Sequence, residues 1–104
     1  MTTKRRPTTP GVILEEEFMA PLGMTQGELA DRLGIARRRV NEIIGGKRDI
    51  TSDTASRLAK AFGVSAMFWL NLQMAYNLWK VEQNKRKEYA AIKPIGPRTN
   101  KKAA

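Results

Sequence analysis

The stretch ARRRVNEIIGGKR, residues 36–48, holds Arg37, Arg38, Arg39, Asn41, Glu42, Lys47 and Arg48 within thirteen positions. Guanidinium groups supply forked donors for guanine edges and phosphates, and an asparagine amide matches an adenine edge. Recognition of nucleic acid is the chemistry on offer. On a helix turning about 100° per residue, Val40, Ile43 and Ile44 share an inward face. Arg38, Asn41, Glu42 and Gly45 fall opposite them, with Arg37 and Arg39 on the flanks. A merely solvated helix face usually mixes Lys and Glu for i,i+4 pairing. Here Glu42 is the one acidic residue, a turn after Arg38. It can hold that guanidinium in place or accept from a cytosine amino group. Gln26 opens the preceding helix, where its side chain and free backbone N–H groups can meet a phosphate. Lys47 and Arg48 follow the arginine-rich helix and can clamp the neighbouring backbone.

These side chains need a scaffold, and the chain punctuates itself into helices. Thr9-Pro10-Gly11 is a start signal for a first helix that runs to Pro21. Thr25 caps a second helix, QGELADRL, stopped by Gly34. The arginine-rich helix is third and ends at Gly45-Gly46. Thr51 or Ser52 caps a fourth, DTASRLAKAF, closed by Gly63, and Ser65 caps a fifth with no breaker before Pro94. No alternating Val/Ile/Thr run predicts a strand. A tight turn joins the second and third helices, with Ala30, Gly34 and Val40 spaced as a helix crossing requires. This is the organisation of a helix-turn-helix.

Charge is distributed in support of that reading. The net charge is +9 over 104 residues, but residues 10–79 carry eight basic and eight acidic groups. The surplus lies in residues 1–9 and 80–104. Within the balanced middle, five of the eight positives cluster between Arg37 and Arg48. With neither His nor Cys, the chain lacks the usual general base near neutral pH and the commonest metal ligands. Glu15, Glu16 and Glu17 are adjacent, but successive helical positions spread them over about 200° and they cannot converge on one metal. No catalytic site, metal or cofactor is expected. The N-terminus lacks an apolar leader and no apolar run reaches membrane length, so a cytoplasmic location is expected. A flexible basic arm over residues 1–9, a helical domain over 10–92 and a disordered basic tail over 93–104 complete the expected organisation.

The fifth helix raises a second question. Phe68 or Trp69, then Leu72, Tyr76 and Trp79, make one apolar stripe at helical spacing. Met67, Leu70, Met74 and Leu78 make another. A small domain can hardly surround both, so one stripe is assigned to the core and the other to a homodimer seam. The pattern alone leaves open which is which.

From about Pro10 to Lys80 the chain closely resembles the HigA (VapI-like) antitoxins, a branch of the Cro/C1-type (XRE) helix-turn-helix proteins. RRVNEII, GKR followed by IT, DTA before RLA, and FWLNLQ with its trailing AY and LW carry the resemblance. Two departures stand out: TPGVIL replaces a more polar opening, and Gly45 stands where Asn or His is common. The resemblance implies an all-α, five-helix, lambda-repressor-like DNA-binding domain. It further implies a homodimer on a palindromic operator, repressing its own operon and neutralising a RelE-like mRNA-cleaving toxin. The implied base-reading positions are Arg37, Arg38, Asn41 and Glu42, with Gln26, Arg39, Lys47 and Arg48 on the backbone. A regulator of the same fold without a toxin partner is the alternative, and a module binding only an acidic protein is a third reading.

Overall fold

The computed structural model describes residues 7–96. Lys4, Arg5 and Arg6 of the expected arm and Arg98, Lys101 and Lys102 of the expected tail lie outside the described residues. The described chain is all helical. Helix α1 begins over Pro10–Ile13, continues through a π-helical stretch, Leu14–Met19, and closes in a 3-10 turn, Ala20–Leu22. It therefore passes through Pro21 instead of ending there. The wider turn lets Ala20 N–H donate to Glu15 O, and Gly23, at φ 62°, reverses the chain.

Helices α2 (Gln26–Leu33), α3 (Arg37–Ile44), α4 (Ser52–Phe62) and α5 (Ala66–Asn84) follow. The hydroxyls of Thr9, Thr25, Thr51 and Ser65 each accept from a backbone N–H three residues on. At α2 the cap is reciprocal, because Glu28 accepts from Thr25 N–H at 2.8 Å.

The core gathers Leu14 and Met19 from α1, Leu29, Ala30 and Leu33 from α2, and Val40 and Ile43 from α3. Ile50, Ala55, Leu58 and Trp69 complete it. Trp69 is fully buried, with its ring 4.8 Å from Phe18 and 5.1 Å from Phe68. Gly11 brings α1 against the end of α3 so closely that a β-carbon there would lie 2.8 Å from Ile44 Cα and overlap Ile43 O. A side chain at residue 11 would push the arginine-bearing helix off its seat.

The fifth helix departs from expectation. It stops at Asn84, and a short α6, Arg86–Ala90, follows the bend at Lys85. Six helices are thus present among the described residues, where the absence of a breaker before Pro94 had suggested five. Residues 84–96 are exposed throughout. With no packing to reward a continuous helix, a weak helix former such as Asn84 suffices to end it.

Candidate nucleic-acid interface

Helices α2 and α3 are locked at their turn by three devices. Gly34 takes the left-handed conformation at φ 72° and bonds back to Ala30 and Asp31 carbonyls. Ile35 N–H donates to Ala30 O at 3.1 Å. Arg57, on α4, reaches across to donate to Leu33 O at 2.8 Å. Ala36, at the N-cap of α3, has no side-chain acceptor. The positive end of that helix therefore carries no side-chain cap.

Val40 and Ile43 face inward and are buried, with Ile44 half-buried beside them. Arg37, Arg38 and Asn41 are exposed on the other side. The Arg38 side chain is 85% exposed, the Arg48 side chain 48%. Between them stands Glu42. Its Oε1 accepts from Arg48 Nε at 2.8 Å and lies 2.7 Å from Arg48 Nη2. Its Oε2 accepts from Arg38 Nε at 3.3 Å. The Arg48 hydrogen bond, helped by the charges of Arg48 and Arg38, holds the Glu42 carboxyl below its ordinary 4.5. Asn41 Nδ2 donates to Gln26 Oε1 at 3.1 Å, so the first residue of α2 and the exposed face of α3 form one surface.

Arg39 behaves differently from its neighbours. Its Nη2 donates to Asp53 Oδ2 at 2.9 Å and to Thr54 Oγ1 at 2.7 Å. Arg57 Nε donates to the same Asp53 oxygen at 2.9 Å. Arg57, then Arg39, keeps the Asp53 carboxyl below its ordinary 3.8. This cluster ties α3 to α4, so Arg39 braces α3 and is less free than Arg37 and Arg38.

Lys47 and Arg48 lie beyond the end of α3, exposed, on a loop held from two sides. Lys47 N–H donates to Glu42 O at 2.8 Å. Ile50 N–H donates to the side-chain Oε1 of Gln73 on α5 at 2.8 Å, and Gln73 Nε2 donates on to Asn77 at 3.0 Å. Gln73 is buried. Apolar periodicity passes over it because its type is polar. Its signal was position: a polar residue one turn after Trp69 on the core face.

On α5 the structure separates the two stripes. Trp69 is buried, Leu72, Tyr76 and Trp79 are half-buried, and Phe68 sits at the core's edge. The Tyr76 and Trp79 rings are 6.0 Å apart. Met67, Met74 and Leu78 are 54%, 51% and 55% exposed, and Val81 continues their line. Leu70, which periodicity grouped with them, packs against the core instead. Among the described residues no group of three or more acidic side chains is placed to hold a metal. No described helix is long and apolar enough to cross a membrane.

Two supports converge on one lineage. A helix-turn-helix family model matches residues 16–69. An addiction module antidote protein of the HigA family from Coxiella burnetii is 42% identical, superposes with a TM-score of 0.82, and is covered over 100% of its length by 88% of this chain. The chain belongs to the HigA family of helix-turn-helix proteins. The HigA antitoxin of Pseudomonas aeruginosa, whose structure was solved with the higBA promoter, is similar as well. It shows 36% identity and a TM-score of 0.84, with 88% of this chain matching 100% of that one. YbaQ of Escherichia coli K12, named an uncharacterized helix-turn-helix-type transcriptional regulator, is 48% identical over 82 residues, 79% of this chain and 73% of the relative.

Proposed function

We propose that the chain is a sequence-specific DNA-binding repressor, acting as a homodimer, and the antitoxin of a HigA-type pair whose toxin is a RelE-like mRNA-cleaving enzyme. The observation that carries the DNA reading is the exposed face of α3, where Arg37, Arg38 and Asn41 project without a competing core role. Arg37, Arg38, Asn41 and Glu42 line the surface turned to base edges in the major groove. Gln26, Lys47 and Arg48 flank it and meet phosphates, with the remaining donors of Arg39 behind them. The Pseudomonas relative, solved with a promoter, supports DNA binding by this fold. The homodimer rests on the exposed line Met67, Met74, Leu78 and Val81 along α5. The toxin partner rests on membership of the HigA family.

Selection from a random-sequence duplex pool tests the DNA reading. It should enrich a palindrome with half-sites about one helical turn, ~34–36 Å, apart. Recovery of no preferred sequence by a folded sample would reject it. Co-expression with a RelE-like product of the neighbouring gene should give a co-purifying complex. The alternative is a regulator of the same fold with no toxin; the Escherichia coli relative is named only an uncharacterized helix-turn-helix-type transcriptional regulator. An unrelated neighbouring gene and no complex would select that reading.

A further inference from the structure

Glu42 is out of place by simple electrostatics. It puts a carboxylate among five cations on the surface assigned to a polyanion, and it weakens attraction to every phosphate nearby. Something must offset that. We infer that Glu42 acts as a positioning residue, which sets Arg38 for base reading and fixes its spacing from Arg48, and does not itself read a base. The inference rests on the DNA-reading assignment above.

A carboxylate offers about four acceptor sites. Three of those on Glu42 face Arg48 Nε, Arg48 Nη2 and Arg38 Nε, at 2.8, 2.7 and 3.3 Å. Little remains for a cytosine amino group. The Arg38 contact uses Nε, which leaves the two terminal nitrogens of the guanidinium pointing onward as a pair. That pair is the fork a guanine O6/N7 edge accepts. A long side chain that is 85% exposed would otherwise sample many rotamers. Pairing at Nε biases that freedom toward one arrangement before DNA arrives. On its other oxygen Glu42 holds Arg48, which belongs to the loop and not to the helix. The loop is also pinned to this residue through its backbone, where Lys47 N–H donates to Glu42 O at 2.8 Å. One residue therefore sets the separation of a base-reading and a phosphate-contacting guanidinium.

The consequence has a sign opposite to that of bare charge. Glu42→Gln removes a negative charge of nearly the same shape, so affinity for random DNA at low salt should rise. Positioning requires that affinity for the selected operator falls relative to random DNA, with the operator-to-random ratio dropping roughly tenfold. The experiment measures both affinities for the full chain, Glu42→Gln, Arg38→Ala and the double variant, on the selected operator, on its single-base-pair substitutions and on random duplex. Discrimination should be lost at the same base pair in Glu42→Gln and Arg38→Ala, and the double variant should lose no more than Arg38→Ala. Glu42→Asp keeps the charge on a shorter arm. It should lose discrimination without the gain on random DNA. Thermal unfolding of each variant monitors the fold.

An unchanged ratio in Glu42→Gln would overturn the inference. So would loss at a base pair other than that of Arg38 with additive effects in the double variant, which would make Glu42 a direct reader. A parallel fall on operator and random DNA would reduce Glu42 to a structural role and also overturn it. Failure of the unmodified chain to prefer any sequence would reject the DNA assignment, and this inference with it. A preference that survives Glu42→Gln intact rejects this inference alone.

Discussion

Helices α3 and α5 each turn one face away from the core, and the chemistry of the two faces differs. That of α3 is polar and already engaged: Arg38 and Arg48 close on Glu42, and Asn41 on Gln26. That of α5 is Met67, Met74, Leu78 and Val81, and lies open. Charged groups can pair with one another at a surface, at small cost in water, and still present donors to a ligand. Methylene groups have no such substitute, and only another apolar surface covers them. One fold thus displays a self-paired polar surface, proposed for a polyanion, and an unsatisfied apolar surface, which the proposed homodimer would cover.

The largest effect should come from putting charge on the apolar face. Leu78→Asp should leave the monomer folded, because Leu78 is 55% exposed. It should convert a dimer to a monomer in sedimentation, and lower operator affinity about 100-fold or more by uncoupling the half-sites. A variant that stays dimeric would move the seam elsewhere and break the contrast between the faces.

A smaller effect is expected beneath α3. Gly11→Ala places a β-carbon against Ile43 O and Ile44 Cα. It should destabilise the domain by about 1–3 kcal/mol in denaturant unfolding. Unchanged stability would mean that α1 does not seat α3 as described.

The smallest effect concerns pH. Asp53 ionises more readily folded than unfolded, because Arg57 and Arg39 bind its carboxylate. Its contribution to stability is therefore complete above its ordinary 3.8 and is lost as pH falls through the lowered folded value. Asp53→Asn should melt slightly lower than the unmodified chain at pH 7, and the gap should narrow on acidification below pH 3.8. A gap that widens on acidification would contradict the ion-pair geometry.

The two faces were not equally legible in the amino-acid order. The arginines of α3 stand beside Val40, Ile43 and Ile44 at helical spacing, and all four helix caps follow from Thr and Ser before periodic runs. The interleaved stripes of α5 were resolvable only in three dimensions. Leu70 joins Met67 and Met74 on a helical wheel, yet the position of the core draws it inward. Arg39 looks like Arg37 in sequence, and its difference comes from Asp53 and Thr54, fourteen and fifteen residues away. Gly11 read as part of a start signal, when its tightest constraint is the approach of α3. The break at Asn84 had no proline or glycine to announce it, because it reflects packing that stops. Local chemistry is written locally; partners contributed by distant segments are not.

The measurement that bears most directly on the central claim compares Arg38→Ala with Lys47→Ala on operator and random-sequence DNA across a salt series. Arg38 lies at the middle of the exposed face of α3, and Lys47 beyond its end. Arg38→Ala should remove ~1–3 kcal/mol of discrimination, weakening the operator far more than random DNA. Lys47→Ala should weaken both about equally and reduce the salt slope by roughly one unit. A parallel loss on both DNAs in Arg38→Ala, with relaxed specificity in Lys47→Ala, would contradict the orientation assigned to α3.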